Sequence, residues 1–272
     1  MSTGDPFARV DVLGVPVHAG TMSDALDLVS GWITTREPAF SIFRDVHGIM
    51  QARRDREVLE AHHRAGLVAC DGMPLVWAAR HAGVGTAERV CGHDFLLAFC
   101  ARAEAQGWTS FLYGGKDGVP ERVSARLREK FPALRIAGTY SPPFRSLTPA
   151  EDTAVVDMID RSGADVVWVG LSTPKQELWM NDHVGVLRAP VLLGVGAAFD
   201  FLAGDVRRAP TWLRRTGFEW VHRIVSEPRR LGPRYLRNNP AFIRAILFNP
   251  PRLLSDAWAH STSTTEGRTS HA

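Results

Sequence analysis

The chain has 272 residues, 45% of them apolar and 22% charged, values of an ordinary globular protein that exclude a fibre or a largely disordered chain. Its net charge of +3 conceals a division: residues 207–252 hold 11 Arg and no Lys against Glu219 and Glu227, so this segment carries +9 and the remainder −6. The odd set of Cys70, Cys91 and Cys100 contains no CxxC pair, which argues against a disulfide framework or structural zinc and fits a reducing cytosol.

The start, MSTGDPFARV, has no basic stretch leading into an apolar one, so no signal peptide is expected. The longest apolar run, residues 189–199, is too short to span a bilayer, where about 20 residues are needed. From Leu67 onward the pattern predicts a strand at 67–70, a helix through His81, and a helix over 94–106. A strand at 110–113 ends in Gly114-Gly115, and a helix over 120–131 carries Pro in its first turn. Then come a strand at 134–137, a helix over 151–162, a strand at 165–170, a helix over 174–183 and a strand at 191–196. This alternation predicts an α/β fold, a mostly parallel sheet flanked by helices. The rhythm stops near Gly204. Residues 205–255 read as a helical, arginine-rich appendage broken by prolines, and 256–272 as a polar, disordered tail.

Four features point to chemistry. Asp71 closes a strand and opens a helix, at the edge where parallel sheets bind ligands; it is either a general base or the helix cap. Gly114-Gly115-Lys116 forms a second strand-to-helix turn, suited to phosphate or simply tight. Ser172-Thr173-Pro174-Lys175-Gln176-Glu177 starts a helix with Gln176 in its first turn. The arginine segment interleaves Trp212, Phe218 and Trp220 with basic residues, a pattern suited to a lipid interface or to a helix with a solvated face. Arg89 and Asp94 read alone as a surface ion pair. His62, His63 and His93 lack an HExxH frame or clustered carboxylates, and the chain has no DxD, so no metal is expected. No GxGxxG is completed, which argues against a nucleotide-dependent oxidoreductase, and no nucleic-acid motif accompanies the charge. A non-enzymatic membrane binder would leave Asp71 and the Gln176 turn without a purpose.

In order, the blocks DGMPLVWAAR (71–80), RVCGHDF (89–95), FLYGGK (111–116), VGLSTPKQELW (169–179), GVGAAFDFLAGDVRRAPTWLRRTGFEWVHRIVSEPRR (194–230) and RYLRNNPAF (234–242) resemble the WecG/TagA/CpsF glycosyltransferases, glycosyltransferase family 26. The resemblance covers about residues 10–245. It implies a Rossmann-like core with a C-terminal appendage that docks peripherally on the inner face of the plasma membrane. It also implies inverting, metal-independent transfer of a sugar, often of the N-acetylmannosamine type, without a cofactor. The donor would be a UDP-sugar and the acceptor a polyprenyl-diphosphate-linked sugar, in teichoic acid, exopolysaccharide or related cell-envelope synthesis.

By the same resemblance, Asp71 is the catalytic base, Arg89 the Arg of RxxGxD, and Gln176 the Gln of PKQE near the sugar or diphosphate. Gly72, Gly114, Gly115, Lys175, Glu177 and Asp200 lie in the matching blocks and are expected to line the substrates. Arg223, Arg230 and Arg234 match appendage arginines that close over the site. The chain departs from the family at Phe43-Arg44-Asp45, where a Thr-x-Asn element is common. Phe43 cannot replace a hydroxyl and Asp45 brings charge in place of an amide; His47 is the neighbour expected to share the work.

Overall fold

The computed structural model describes residues 7–206, 209, 213 and 228–254; within the last stretch the side chains of 228, 230 and 234 are not described. A nine-stranded sheet runs in the order β6-β5-β7-β8-β3-β4-β2-β1-β9. The strands are β1 (Ala8–Val12), β2 (Val15–Ala19), β3 (Ala39–Arg44), β4 (Leu67–Cys70), β5 (Thr109–Gly114), β6 (Arg135–Tyr140), β7 (Val166–Gly170), β8 (Val191–Gly194) and β9 (Arg252–Leu253). Pairing is parallel from β6 through β2, while β1 joins β2 and β9 antiparallel.

The helices are α1 (Met22–Thr35), α2 (Val46–Ala52), α3 (Arg56–Arg64), α4 (Met73–His81), α5 (Gly92–Gln106), α6 (Val119–Lys130), α7 (Pro149–Ser162), α8 (Lys175–His183), α9 (Ala198–Ala203) and α10 (Pro228–Phe248). One buried cluster packs α2, α3, α4, α7, α8 and α10 on one face of the sheet, and a second packs α1, α5, α6 and α9 on the other. A parallel sheet covered on both faces buries every side chain of its central strands, as β3, β4 and β8 do. The second cluster centres on Trp168, whose indole Nε1 donates to Ser110 Oγ at 3.2 Å, so its polar atom is satisfied inside the core.

Local chemistry fixes the helix starts. Thr21 with Asp24, and Thr148 with Glu151, form capping boxes on α1 and α7, each satisfying two orphan N–H groups. Arg145 forks onto Glu151 at 2.6 and 2.7 Å and holds that carboxyl down at about 2.

Within the segment read as an appendage, α10 packs against α2, Leu231 and Phe242 are buried, and β9 extends the sheet beside β1. The prolines at 233 and 240 do not break α10, contrary to the sequence reading. Each removes an intrahelical bond and costs about 3 kcal/mol. The burial of Leu231 and Phe242, together with a bond from Asn238 to α2, offsets that loss. Opposite this inner stripe, Leu236, Ile243, Leu247 and Phe248 stand exposed among the exposed Arg237 and Arg244.

Candidate active site

After β1 to β4 have formed one side of the sheet, the chain crosses to β5 on the far side of β3, and β8 later fills in beside β3. The strand order therefore reverses at β3, and the loops leaving the carboxyl ends of β3, β4, β7 and β8 converge where such folds bind ligands. Asp45, Asp71, the 171–174 loop and Gly196 all lie on these loops.

Asp71 is not the cap of α4. That position belongs to Gly72, which makes no side-chain capping bond. The carboxylate instead meets Arg89: Nη2 of Arg89 donates to Asp71 Oδ1 at 3.3 Å and its Nε donates to the Asp71 carbonyl at 2.8 Å. Arg89 pairs across 18 residues with the base candidate, where the sequence suggested Asp94 at short range. The Asp71 N–H donates to the Arg44 carbonyl at 2.8 Å, which locks the end of β4 to β3. Both side chains remain partly open to solvent. Burial pushes the neighbouring Cys70 thiol up to about 12, and the negative charge of Asp71 adds to it, so this cysteine is no nucleophile.

Below this edge lies a charged network that sequence reading missed. Arg44, at the end of β3, is buried and forms an ion pair with the fully buried Glu177 of α8. Its Nη1 donates to Thr173 Oγ1 at 3.2 Å, and Thr173 donates in turn to Glu177 Oε1 at 3.2 Å. The Arg44 Nε donates to His62 Nε2 at 2.7 Å, and His62 Nδ1 lies 2.6 Å from the Val58 carbonyl. The first contact requires Nε2 to accept and the second requires Nδ1 to donate, which fixes a neutral tautomer. Burial, then the Arg44 charge, hold His62 down at about 3. His62 is thus a buried acceptor for Arg44.

The start of α8 also differs from its sequence reading. Pro174, not Ser172 or Thr173, occupies the cap position, no side chain caps the helix, and the hydroxyl of Thr173 serves the Arg44–Glu177 pair. Gln176 is only 4% exposed; its Oε1 accepts from Gly196 N–H at 2.8 Å and so fastens α8 to the turn after β8. Lys175 is exposed at the rim, its ammonium 5.2 Å from the centroid of Phe144.

Gly114 has φ +121°, and a Cβ there would sit 2.7 Å from the Gly170 backbone; the adjacent Gly115 donates to the Gly170 carbonyl at 2.9 Å. The close approach of β5 to β7 alone explains this glycine. Asp200 stands in the first turn of α9.

Phe43 is buried against Phe95, ring centroids 5.1 Å apart, so it presents no polar group to the edge. Asp45 caps α2 by accepting from Gly48 N–H at 2.9 Å. His47 Nδ1 lies 2.8 Å from Nδ2 of Asn238 on α10. The structure thus brings Asp71, Arg89, Gly72, Asp45 and Gln176 to one edge around β3, β4 and α8, whereas Glu177, expected to line the substrates, is fully buried beneath it in its pair with Arg44. Of the three arginines assigned to closure, Arg223 lies outside the described residues, and only the backbone of Arg230 and Arg234 is described. Among the described residues, no group of three or more His, Cys, Asp or Glu stands in position to hold a metal, and no helix is long and apolar enough to cross a membrane.

The model of the glycosyl transferase WecG/TagA/CpsF family matches residues 10–254. The chain is 29% identical over 179 residues to the N-acetylglucosaminyldiphosphoundecaprenol N-acetyl-beta-D-mannosaminyltransferase of Bacillus subtilis (strain 168), covering 66% of this chain and 68% of that protein.

Proposed function

Because the chain belongs to the WecG/TagA/CpsF glycosyltransferase family, we propose that it moves an N-acetylhexosaminyl group, of the N-acetylmannosamine type, from a UDP-sugar to a polyprenyl-diphosphate-linked acceptor. The activity for which the Bacillus relative is named supports this choice of sugar and lipid-linked acceptor. The observation that carries the reading is Asp71, held by Arg89 at the carboxyl edge of β4 and not spent on capping α4.

Asp71 takes the proton of the acceptor hydroxyl as its oxygen attacks the anomeric carbon on the face opposite the diphosphate, which inverts that centre. Such general-base assistance contributes about 10²–10⁴-fold. Arg89 fixes the carboxylate in orientation. Gln176 keeps the Gly196 turn in place beneath the sugar. The leaving diphosphate gathers negative charge, and arginine forks suit it; Arg223, Arg230 and Arg234 fill that role in this reading. The absence of a DxD in the sequence supports transfer without a metal. Docking on the inner face of the membrane is supported by the outer stripe of α10, apolar and basic together.

The test is transfer by the purified protein from a panel of UDP-sugars to a short polyprenyl-diphosphate-GlcNAc analogue, with EDTA present. Acceptor-dependent UDP release that survives EDTA is the expected result. No release with any donor from folded protein would overturn the reading.

A further inference from the structure

The loop between β6 and α7 carries a phenylalanine that the core does not use. Phe144 is 94% exposed, although the loop on either side of it is tied down. Ser141 Oγ donates to the Lys116 carbonyl at 3.1 Å, which joins the loop to the Gly114-Gly115 turn. Arg145 holds the other flank through its fork on Glu151 at 2.6 and 2.7 Å. An aromatic ring held in water gains nothing from folding, and such rings are what interfaces use. Over this ring lies the Lys175 ammonium, 5.2 Å from its centroid, on the same α8 that carries Gln176 and Glu177.

The position matches one end of an elongated ligand. Three strand steps separate β4, which delivers Asp71, from β7, whose loop delivers Lys175. At sheet spacing that is about 14 Å, comparable with the reach of an extended nucleotide sugar from its reacting carbon to its base. With the sugar at Asp71, the base and the adjoining diphosphate fall beside Phe144 and Lys175.

From this geometry we infer that Phe144 is the stacking platform for the pyrimidine base of the donor, and that Lys175 is the cation that meets its diphosphate. The inference rests on the reading of the donor as a UDP-sugar. Every base has a π-face, and a base on an aromatic ring contributes enough that alanine substitution weakens binding by about tenfold. Lysine serves phosphate as a compact point charge.

The experiment is calorimetric titration of the full chain with UDP and with inorganic pyrophosphate, for wild type, Phe144→Ala, Phe144→Trp and Lys175→Ala. Phe144→Ala is expected to weaken UDP by about tenfold and leave pyrophosphate unchanged. Phe144→Trp should restore UDP, and Lys175→Ala should weaken both ligands. Equal UDP affinity in wild type and Phe144→Ala would overturn the platform while leaving the glycosyltransferase reading intact. A wild type that binds no UDP and turns over no UDP-sugar would instead remove the donor on which the inference rests. Loss of vesicle binding in Phe144→Ala with UDP affinity unchanged would reassign the ring to the membrane and overturn the inference too.

Discussion

Asn238, nearly buried on α10, places its amide nitrogen 2.8 Å from Nδ1 of His47 on α2, joining the C-terminal helix to the helix that Asp45 caps. The bond spans 191 residues of sequence. Removing one partner of a buried hydrogen bond costs about 1–3 kcal/mol. Asn238→Ala and His47→Ala are each expected to lower stability by that order in denaturant unfolding. The double variant should fall short of the sum of the two, because the same bond is lost only once. Additive losses would show that the two side chains do not interact in solution.

Asp71→Asn keeps the size and shape of the side chain and removes its capacity to take a proton. Since Gly72, not Asp71, caps α4, the fold does not depend on this carboxylate for capping. Turnover is expected to fall about 10²–10⁴-fold, with the melting temperature little changed and UDP binding retained. Near-normal turnover in this variant would remove Asp71 from the base role.

The carboxyl-edge architecture is legible in the sequence because it is written in local signals. The predicted strand at 67–70 coincides with β4, and the predicted helices over 120–131 and 151–162 lie within two residues of α6 and α7. The first 66 residues gave no such reading, for physical reasons. The strands β2 and β3 are buried throughout and show no alternation. The β1–β2 hairpin turns through Leu13 and Gly14, with φ of +60° and +88°, so its first turn residue is a leucine where Asn or Asp would signal such a turn. Arg44 was equally hidden. A charged residue reads as surface, and its partners Thr173 and Glu177 lie more than 120 residues away. Only the fold brings them together.

The outer stripe of α10 allows a test of the proposed membrane docking. Leu247 and Phe248 are each 76% exposed, so replacing both with serine removes contacts with solvent and little else. The double variant is expected to keep its denaturation midpoint and to lose most of its co-sedimentation with vesicles containing anionic lipid, because interfacial binding scales with buried apolar area. Raising salt should weaken the wild type further, since the arginine contribution is screened. Vesicle binding equal to that of the wild type would place the docking surface elsewhere.

The buried network predicts a distinct response to acid. His62 is held at about 3 in the folded chain, against about 6.5 when unfolded. Above pH 6.5 it is neutral in both states and contributes no pH dependence. As pH falls from there toward 3, the unfolded chain binds a proton that the folded chain refuses, so stability falls throughout that window. By pH 5 the loss from this one residue is about 2 kcal/mol. His62→Gln can still accept from Arg44 Nε but cannot titrate, so its stability between pH 7 and 5 should be flatter than that of the wild type. An identical slope would mean that His62 is protonated in the fold or reached by water. Glu177→Ala is a separate test of the same network, because it strands the buried Arg44 charge. Breaking a buried pair this way costs about 3–5 kcal/mol. Glu177→Gln, which retains an oxygen to accept from Arg44 and Thr173, should cost less. Since these side chains brace the loop before Gln176, Glu177→Gln should also lose turnover while remaining folded; unaltered turnover would confine the network to stability alone.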